Sequence, residues 1–306
     1  MNFTTHRFSI ALPRGYRRHD VIAFHDRDTE HVAEAVATAR IRKALLLDGV
    51  AVELDVEFDQ AGASCLASGD AALPSATLAR LEGALQNILG LRLDPQPFIA
   101  LAQDDPLMGP LVRAHAGLRI VQSATPFEAL TWAIIGQQIN LPFAIALRRS
   151  FILQAGRRHS GGLWCYPEAA DVARLDIDEL TTRKFSRAKA ETLLRLARLI
   201  DEGELALALP PSGDIAPVSA ALLAIKGIGP WTVNYALLRG YGYADCSLHG
   251  DVAIRTALGR LLNETDKPDM ARTEAWLAQY RPQRTMAAAH LWASLNPAPG
   301  ARDKDD

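Results

Sequence analysis

A chain of 306 residues with 49% hydrophobic and 22% charged side chains has the make-up of a soluble globular protein of about two domains. That excludes a disordered, collagen-like or low-complexity polymer. A formal net charge of −2 argues against coating nucleic acid by bulk electrostatics, while leaving room for a local basic surface.

Three well-separated cysteines, Cys65, Cys165 and Cys246, form no CxxC pair, which excludes a cysteine-ligated zinc ribbon and a four-cysteine iron–sulfur cluster and fits a reducing compartment. The first twenty residues lack the basic start, apolar middle and small-residue cleavage site of a signal peptide, and no apolar run is long enough for a membrane span. A cytoplasmic protein without a membrane partner is expected.

In chain order, Phe8 to Leu12 is a strand candidate. From Gly49 to Asp59 the sequence alternates strictly, with Val50, Val52, Leu54, Val56 and Phe58 on one face and Glu53, Asp55, Glu57 and Asp59 on the other. This predicts a half-buried antiparallel strand whose acidic outer face repels phosphates. Ser64 to Ala67 is a further strand candidate, and Leu78 to Leu89 reads as an amphipathic helix. Residues 1–95 are therefore expected to form an α+β scaffolding domain. After Asp94-Pro95-Gln96-Pro97 the strand patterns give way to helical spacing, punctuated by Gly156, Ser160-Gly161-Gly162, Pro210-Pro211-Ser212-Gly213 and Lys267-Pro268. Residues 96–298 are read as helical and 299–306 as a flexible tail. The apolar helix Phe127 to Ile135 ends at Gln137-Gln138, an awkward place for two amides unless a turn, a cap or a ligand satisfies them. Arg183, Lys184, Arg187, Lys189, Arg195 and Arg198 make a basic cluster, either a phosphate-facing patch or a solvated helix face.

The most informative stretch is residues 218–251. Ala221, Leu222 and Ile225 form an apolar helical face, Lys226-Gly227-Ile228-Gly229 breaks the helix, and Pro230 reopens one where its missing N–H does no harm. Two glycines allow close backbone approach to a ligand, and Ile228 is suited to plug the core. The free N–H groups of the second helix, with Thr232 in its first turn, make an anion site suited to a phosphate and indifferent to base sequence. A helix from Pro230 to Gly240 rises about 16 Å, whereas the loop Tyr241 to Gly250 spans up to about 33 Å, so the loop can return alongside the helix. That places Asp251 near Trp231 and Tyr235, which share a helix face. Asp251 also opens an apolar-periodic stretch, where Asp is a natural N-cap. The aromatic residues have core packing as their alternative reading.

The stretch LLAIKGIGPWTVNYALLRGYGYADCSLHGDVAIRTAL, with blocks at Gly117 to Asn140, Phe185 to Leu205 and Trp276 to Leu295, resembles the helix-hairpin-helix signature of the DNA glycosylase superfamily, specifically its DNA-3-methyladenine glycosylase II branch. The resemblance implies a mainly α fold with a helix-hairpin-helix (218–240), a catalytic-aspartate loop (241–251) and a small antiparallel-sheet domain. It also implies a monomeric base-excision repair enzyme acting on double-stranded DNA that contains alkylated bases. Asp251 falls on the family's catalytic aspartate and Trp231, Tyr235 and Trp292 on its aromatic pocket. Gln138 falls on the wedge that fills the gap left by a flipped base, with a helix cap as the alternative. Lys226, Gly227, Ile228, Gly229 and Thr232 fall on the DNA-binding hairpin, Lys226 facing a phosphate or solvent. Bifunctional members carry a lysine where this chain has Trp231, so a monofunctional enzyme without cofactor or catalytic metal is expected. A monovalent cation at the hairpin carbonyls is implied by the resemblance alone. His249 is read as a structural loop residue rather than a proton shuttle. A glycosylase for oxidised or deaminated bases and a non-catalytic DNA-binding module stand as alternatives.

Overall fold

A computed structural model describes residues 4–60, 62–209 and 213–295, so the 299–306 tail and the Pro210–Ser212 break lie outside the described residues. Five strands, β1 (Thr4–Ile10), β2 (Glu34–Ala37), β3 (Arg40–Leu47), β4 (Val50–Phe58) and β5 (Ala63–Gly69), form one antiparallel sheet in the order β1-β5-β4-β3-β2, with helix α1 (Arg18–His25) between β1 and β2. The strands expected from Phe8, Val50 and Ser64 are β1, β4 and β5, and the Leu78 helix is α2 (Ser75–Ile88).

Strand β4 differs from expectation in the nature of its acidic face. Asp55 pairs with Arg40 and Glu53 with Arg42 from β3, so these two carboxylates are neutralised across the sheet, while Glu57 remains exposed. Ala51 joins Ala44, Leu46, Leu163 and Cys165 in a small second core. One strand pattern cannot reveal its partner's arginines or the loop that covers it.

The helices follow as α3 (Gln96–Ala102), α4 (Met108–Ala114), α5 (Pro126–Gly136), α6 (Leu141–Ala155), α7 (Ala169–Ala173), α8 (Ile177–Thr181), α9 (Arg187–Asp201), α10 (Ala216–Leu223), α11 (Pro230–Ala236), α12 (Val252–Leu261), α13 (Met270–Ala278) and α14 (Arg284–Leu295). The main core runs without a break from Val52 and Leu54 in the sheet to Leu130, Ile134, Val233 and Leu258 in the helices.

Sheet and helices are also joined by a buried polar cluster. Lys43 Nζ donates to Glu34 (2.5 Å) and Glu128 (2.8 Å), and Arg148 contacts the same two carboxylates. Burial alone would raise the Glu128 carboxyl, but Lys43 and Arg148 hold it below its ordinary value. Two anions and two cations balance, the arrangement that makes burial of charge tolerable. Glu128 lies in the first turn of α5, its Oε2 accepting from Ala124 N while Thr125 caps its own N–H. Helix α5 is thereby fixed against the sheet, and α5 carries Trp132 and leads into Gln137-Gln138.

Candidate active site

Helices α10 and α11 enclose the hairpin Lys226–Gly229, with Leu222, Ile225 and Ile228 buried beneath it. Gly227 has φ +96°, and a Cβ there would fall 2.1 Å from Thr192 Oγ1. Only glycine allows α9 and the hairpin to close this far. Lys226 and Gly227 are exposed, as a surface contact requires. Thr232 turns inward instead, buried, its hydroxyl accepting from Gln137 Nε2 at 2.9 Å. The same amide donates to Gly227 O (3.0 Å), and Thr192 Oγ1, which donates to Ala188 O (2.8 Å), lies 3.4 Å from Lys226 O. Among the described residues no group of three His, Cys, Asp or Glu converges as a metal site.

Helix α11 does not continue regularly to Gly240. It widens at Leu237–Tyr241 into a π-helical turn closed by Gly242 at φ +66°. A Cβ at Gly240 would lie 2.9 Å from Pro126 Cα, so glycine permits α5 to cross at the turn. The chain then returns as a loop pinned on two sides. Ser247 N donates to Asn234 Oδ1 on α11, while Arg284 Nε donates to Asp245 Oδ1 (2.6 Å) and Cys246 N to Thr285 Oγ1 (2.8 Å) on α14.

This loop delivers Asp251 to the place where α11, α12 and α14 meet. Asp251 is the N-cap of α12, its Oδ1 accepting from Ala253 N (2.9 Å) and Ile254 N (3.1 Å). It also accepts from both indoles, Trp231 Nε1 on Oδ2 (3.1 Å) and Trp292 Nε1 on Oδ1 (3.4 Å). Asp251 is thus the helix cap its sequence position offers, and its carboxylate also faces two aromatic residues. Trp231 and Tyr235 lie with centroids 5.2 Å apart and planes tilted by 31°, and Tyr235 OH accepts from Trp132 Nε1 at 2.9 Å. All four rings are only partly buried, and Trp292 also packs against the main core. His249 is tied to Ser247 Oγ (2.9 Å).

Gln138 is exposed and adopts φ +56° in the turn between α5 and α6, so it projects from a strained backbone. Asn140 is the cap of α6, and Gln137 braces the hairpin. The basic cluster is largely absorbed into structure. Lys189 donates to Ile135 O, Arg198 to Ala173 O and Leu175 O, Arg183 to Glu179 O, and Arg187 pairs with Glu191.

Sequence reasoning missed Trp132, Phe24, Arg27 and Arg239, which with Tyr235 line a small neighbouring cavity. Arg239 was discoverable, since Trp231, Tyr235 and Arg239 follow at intervals of four on one helix face. Trp132 is hidden within an apolar helix, and Arg27 comes from the sheet region with no local signal. A cavity of about 530 Å³ lies elsewhere, lined by Leu45, Phe127, Ile200 and Leu207, and brings no such constellation together.

Residues 131–282 match the family described as HhH-GPD superfamily base excision DNA repair protein. A DNA-3-methyladenine glycosylase of Bacillus subtilis (strain 168) is 31% identical over 205 residues, 66% of this chain and 68% of that protein. The chain therefore belongs to the HhH-GPD superfamily of base excision DNA repair proteins. It is also 29% identical over 189 residues, 60% of its length and 63% of the relative's, to DNA-3-methyladenine glycosylase 2 of Escherichia coli (strain K12). Across the curated relatives first matched, the alignment spans only 63% to 68% of the relative's own length. The fold is that of a 3-methyladenine DNA-glycosylase from Archaeoglobus fulgidus, with TM-score 0.77, 20% identity and coverage of 94% of this chain and 97% of that one.

Proposed function

We propose that the protein is a monofunctional DNA glycosylase that acts as a monomer on duplex DNA, flips an alkylated purine out of the stack and hydrolyses its N-glycosidic bond. The observation that carries this reading is the Asp251 carboxylate held by the Trp231 and Trp292 indoles.

Breaking the C1′–N bond builds positive charge on the sugar. A carboxylate whose position is fixed by a helix start and two indole donors is preorganised to stabilise that charge and to orient the water that adds to C1′. The bond's electron pair goes to the leaving base. An N3- or N7-alkylated purine is already cationic and leaves neutral, so a single carboxylate suffices. In this reading Trp231, Tyr235 and Trp292 take the flipped base. Gln138 enters the vacated stack, and Lys226 to Gly229 lie against the phosphate backbone. Thr232 then acts through its backbone and its bond to Gln137 rather than by a direct side-chain contact. No lysine follows the hairpin to attack the sugar, which supports hydrolysis without strand cleavage.

The test is release of free base from methylated duplex DNA, with the strand followed in parallel. The reading expects free alkylpurine and an abasic strand that breaks only on alkaline treatment, with no borohydride-trapped adduct. A folded protein that binds the duplex and releases nothing contradicts it.

A further inference from the structure

The turn between α5 and α6 presents one free amide between two anchored neighbours. Gln138 is exposed at φ +56°, and its side chain makes no hydrogen bond among the described residues. A non-glycine residue holds such an angle only where its surroundings over-determine it. On one side Gln137 is fixed by its own amide, and on the other Ile139 packs against the main core.

The Gln137 amide directs both of its N–H donors at the hairpin. Nε2 lies 3.0 Å from Gly227 O, before the chain turns into α11, and 2.9 Å from Thr232 Oγ1, in the first turn after it. One side chain thus spans both limbs of Lys226–Gly229. Because a carbonyl oxygen only accepts, the amide has to present its nitrogen and not its oxygen there. Helix α5 is held at two further points. Trp132 Nε1 donates to Tyr235 OH (2.9 Å) on α11, and Lys189 Nζ on α9 donates to Ile135 O (2.8 Å) in the last turn of α5. Gln137 is the last of these ties before Gln138, whose Cα lies one peptide, about 3.8 Å, further on.

In the glycosylase reading the hairpin lies against the phosphate backbone while Gln138 enters the vacated stack. The two contacts must meet the duplex in a fixed relation, since a misplacement of about 1 Å can cost a factor of about 10². Resting on that reading, we infer that Gln137 is a positioning residue: its amide locks the Gln138 turn to the phosphate-binding hairpin, so that grip on the backbone and filling of the stack act as one unit. Gln137 acts through Gln138 and adds no contact of its own to base or sugar.

Single-turnover release of 7-methylguanine is compared on two duplexes that differ only opposite the lesion. One carries cytosine there, and the other an abasic-site analogue, which leaves no pair to break. The variants are Gln138→Ala, Gln137→Glu, which keeps the shape of the side chain but sets an oxygen against Gly227 O, and the two combined. Thr232→Val removes one acceptor from the hairpin side and decides the question alone if Gln137→Glu does not fold. Gln137→Glu and Gln138→Ala are each expected to slow release opposite cytosine about tenfold or more, and opposite the abasic analogue less than about threefold. The combined variant should be no slower than the slower single one, and Thr232→Val should lower the ratio of the two rates about threefold. Equal slowing on both duplexes overturns the inference, because it marks a general structural role. So do multiplying effects in the combined variant, which mark independent actions, and a wild-type ratio in Gln137→Glu or, where that variant does not fold, in Thr232→Val. Gln138→Ala at the wild-type rate opposite cytosine removes the wedge and the inference with it, while the glycosylase reading stands. Release from neither duplex by the wild type overturns the glycosylase reading itself.

Discussion

At the scale of residues, the candidate chemistry depends on one carboxylate with four N–H donors around it. Ala253 and Ile254 donate from the backbone, and Trp231 and Trp292 donate from indoles. The backbone donors belong to the helix start and persist whatever the side chains do. The indole donors can be removed singly while ring surface is kept, through Trp231→Phe and Trp292→Phe. A hydrogen bond to a charged group contributes roughly 1.5–3 kcal/mol, and 1.36 kcal/mol is a factor of ten in rate. Each substitution is therefore expected to slow base release about tenfold or more under single-turnover conditions. Unchanged rates in both variants would show that the indoles serve packing alone. Trp231, Tyr235 and Asp251 were legible because they stand in one contiguous motif, and Trp292 because it stands in a separate block that shares the resemblance. Arg27 and Trp132 were not, because their contacts exist only after α1, α5 and α11 have packed together.

At the scale of elements, the hairpin and the π-helical turn use glycine in the same way, to admit a neighbouring helix. Gly227 lets α9 close onto the hairpin, and Gly240 lets α5 cross the widened turn. Gly227→Ala places a methyl group against the Thr192 side chain at a left-handed backbone angle, so a loss of about 1–3 kcal/mol is expected. Duplex affinity should fall with it, which fluorescence anisotropy alongside urea denaturation would read. Stability and affinity both at wild-type levels would mean that the hairpin has another closed form. The hairpin was readable from Gly-x-Gly-Pro because glycine and proline punctuate the chain locally. The end of α11 was not, since nothing in the local sequence Leu237–Tyr241 marks the π turn that accompanies the close crossing of α5. The acidic face of β4 misled for a related reason. Its countercharges, Arg40 and Arg42, sit on a neighbouring strand whose pairing no single-strand pattern discloses.

At the scale of the whole molecule, acid should act on stability through two sets of buried groups. His290 stacks on Phe98, faces His115 and is pushed down to about 4, mainly by burial and then by His115. Its folded-state value lies below the unfolded one, so its contribution is complete above about pH 6.5 and is lost as pH falls from there toward 4. From pH 7.5 to pH 5 this amounts to about 2 kcal/mol for the single group. Below that range the carboxylates of Glu34 and Glu128, held low against burial by Arg148 and Lys43, add a further loss as they protonate. Urea unfolding midpoints should therefore drop between pH 7.5 and pH 5, and His290→Gln should flatten that drop. A midpoint independent of pH in the wild type would contradict the assignment. The sheet and the helical region were each legible from their periodicities. The welding of one to the other by Lys43, Glu34, Glu128 and Arg148 was not, because charged residues scattered over 115 positions give no sign of sharing one buried site.

The most direct test of the central claim is base release from methylated duplex DNA by Asp251→Asn, with duplex affinity and thermal stability measured on the same preparation. Asparagine is as good an N-cap as aspartate, so α12 should keep its start and the fold its stability while the negative charge is removed. The account predicts release reduced by about 10²- to 10³-fold or more, the scale on which a preorganised electrostatic group acts, with affinity retained. Release within a few-fold of wild type would contradict it and leave Asp251 as a helix cap alone.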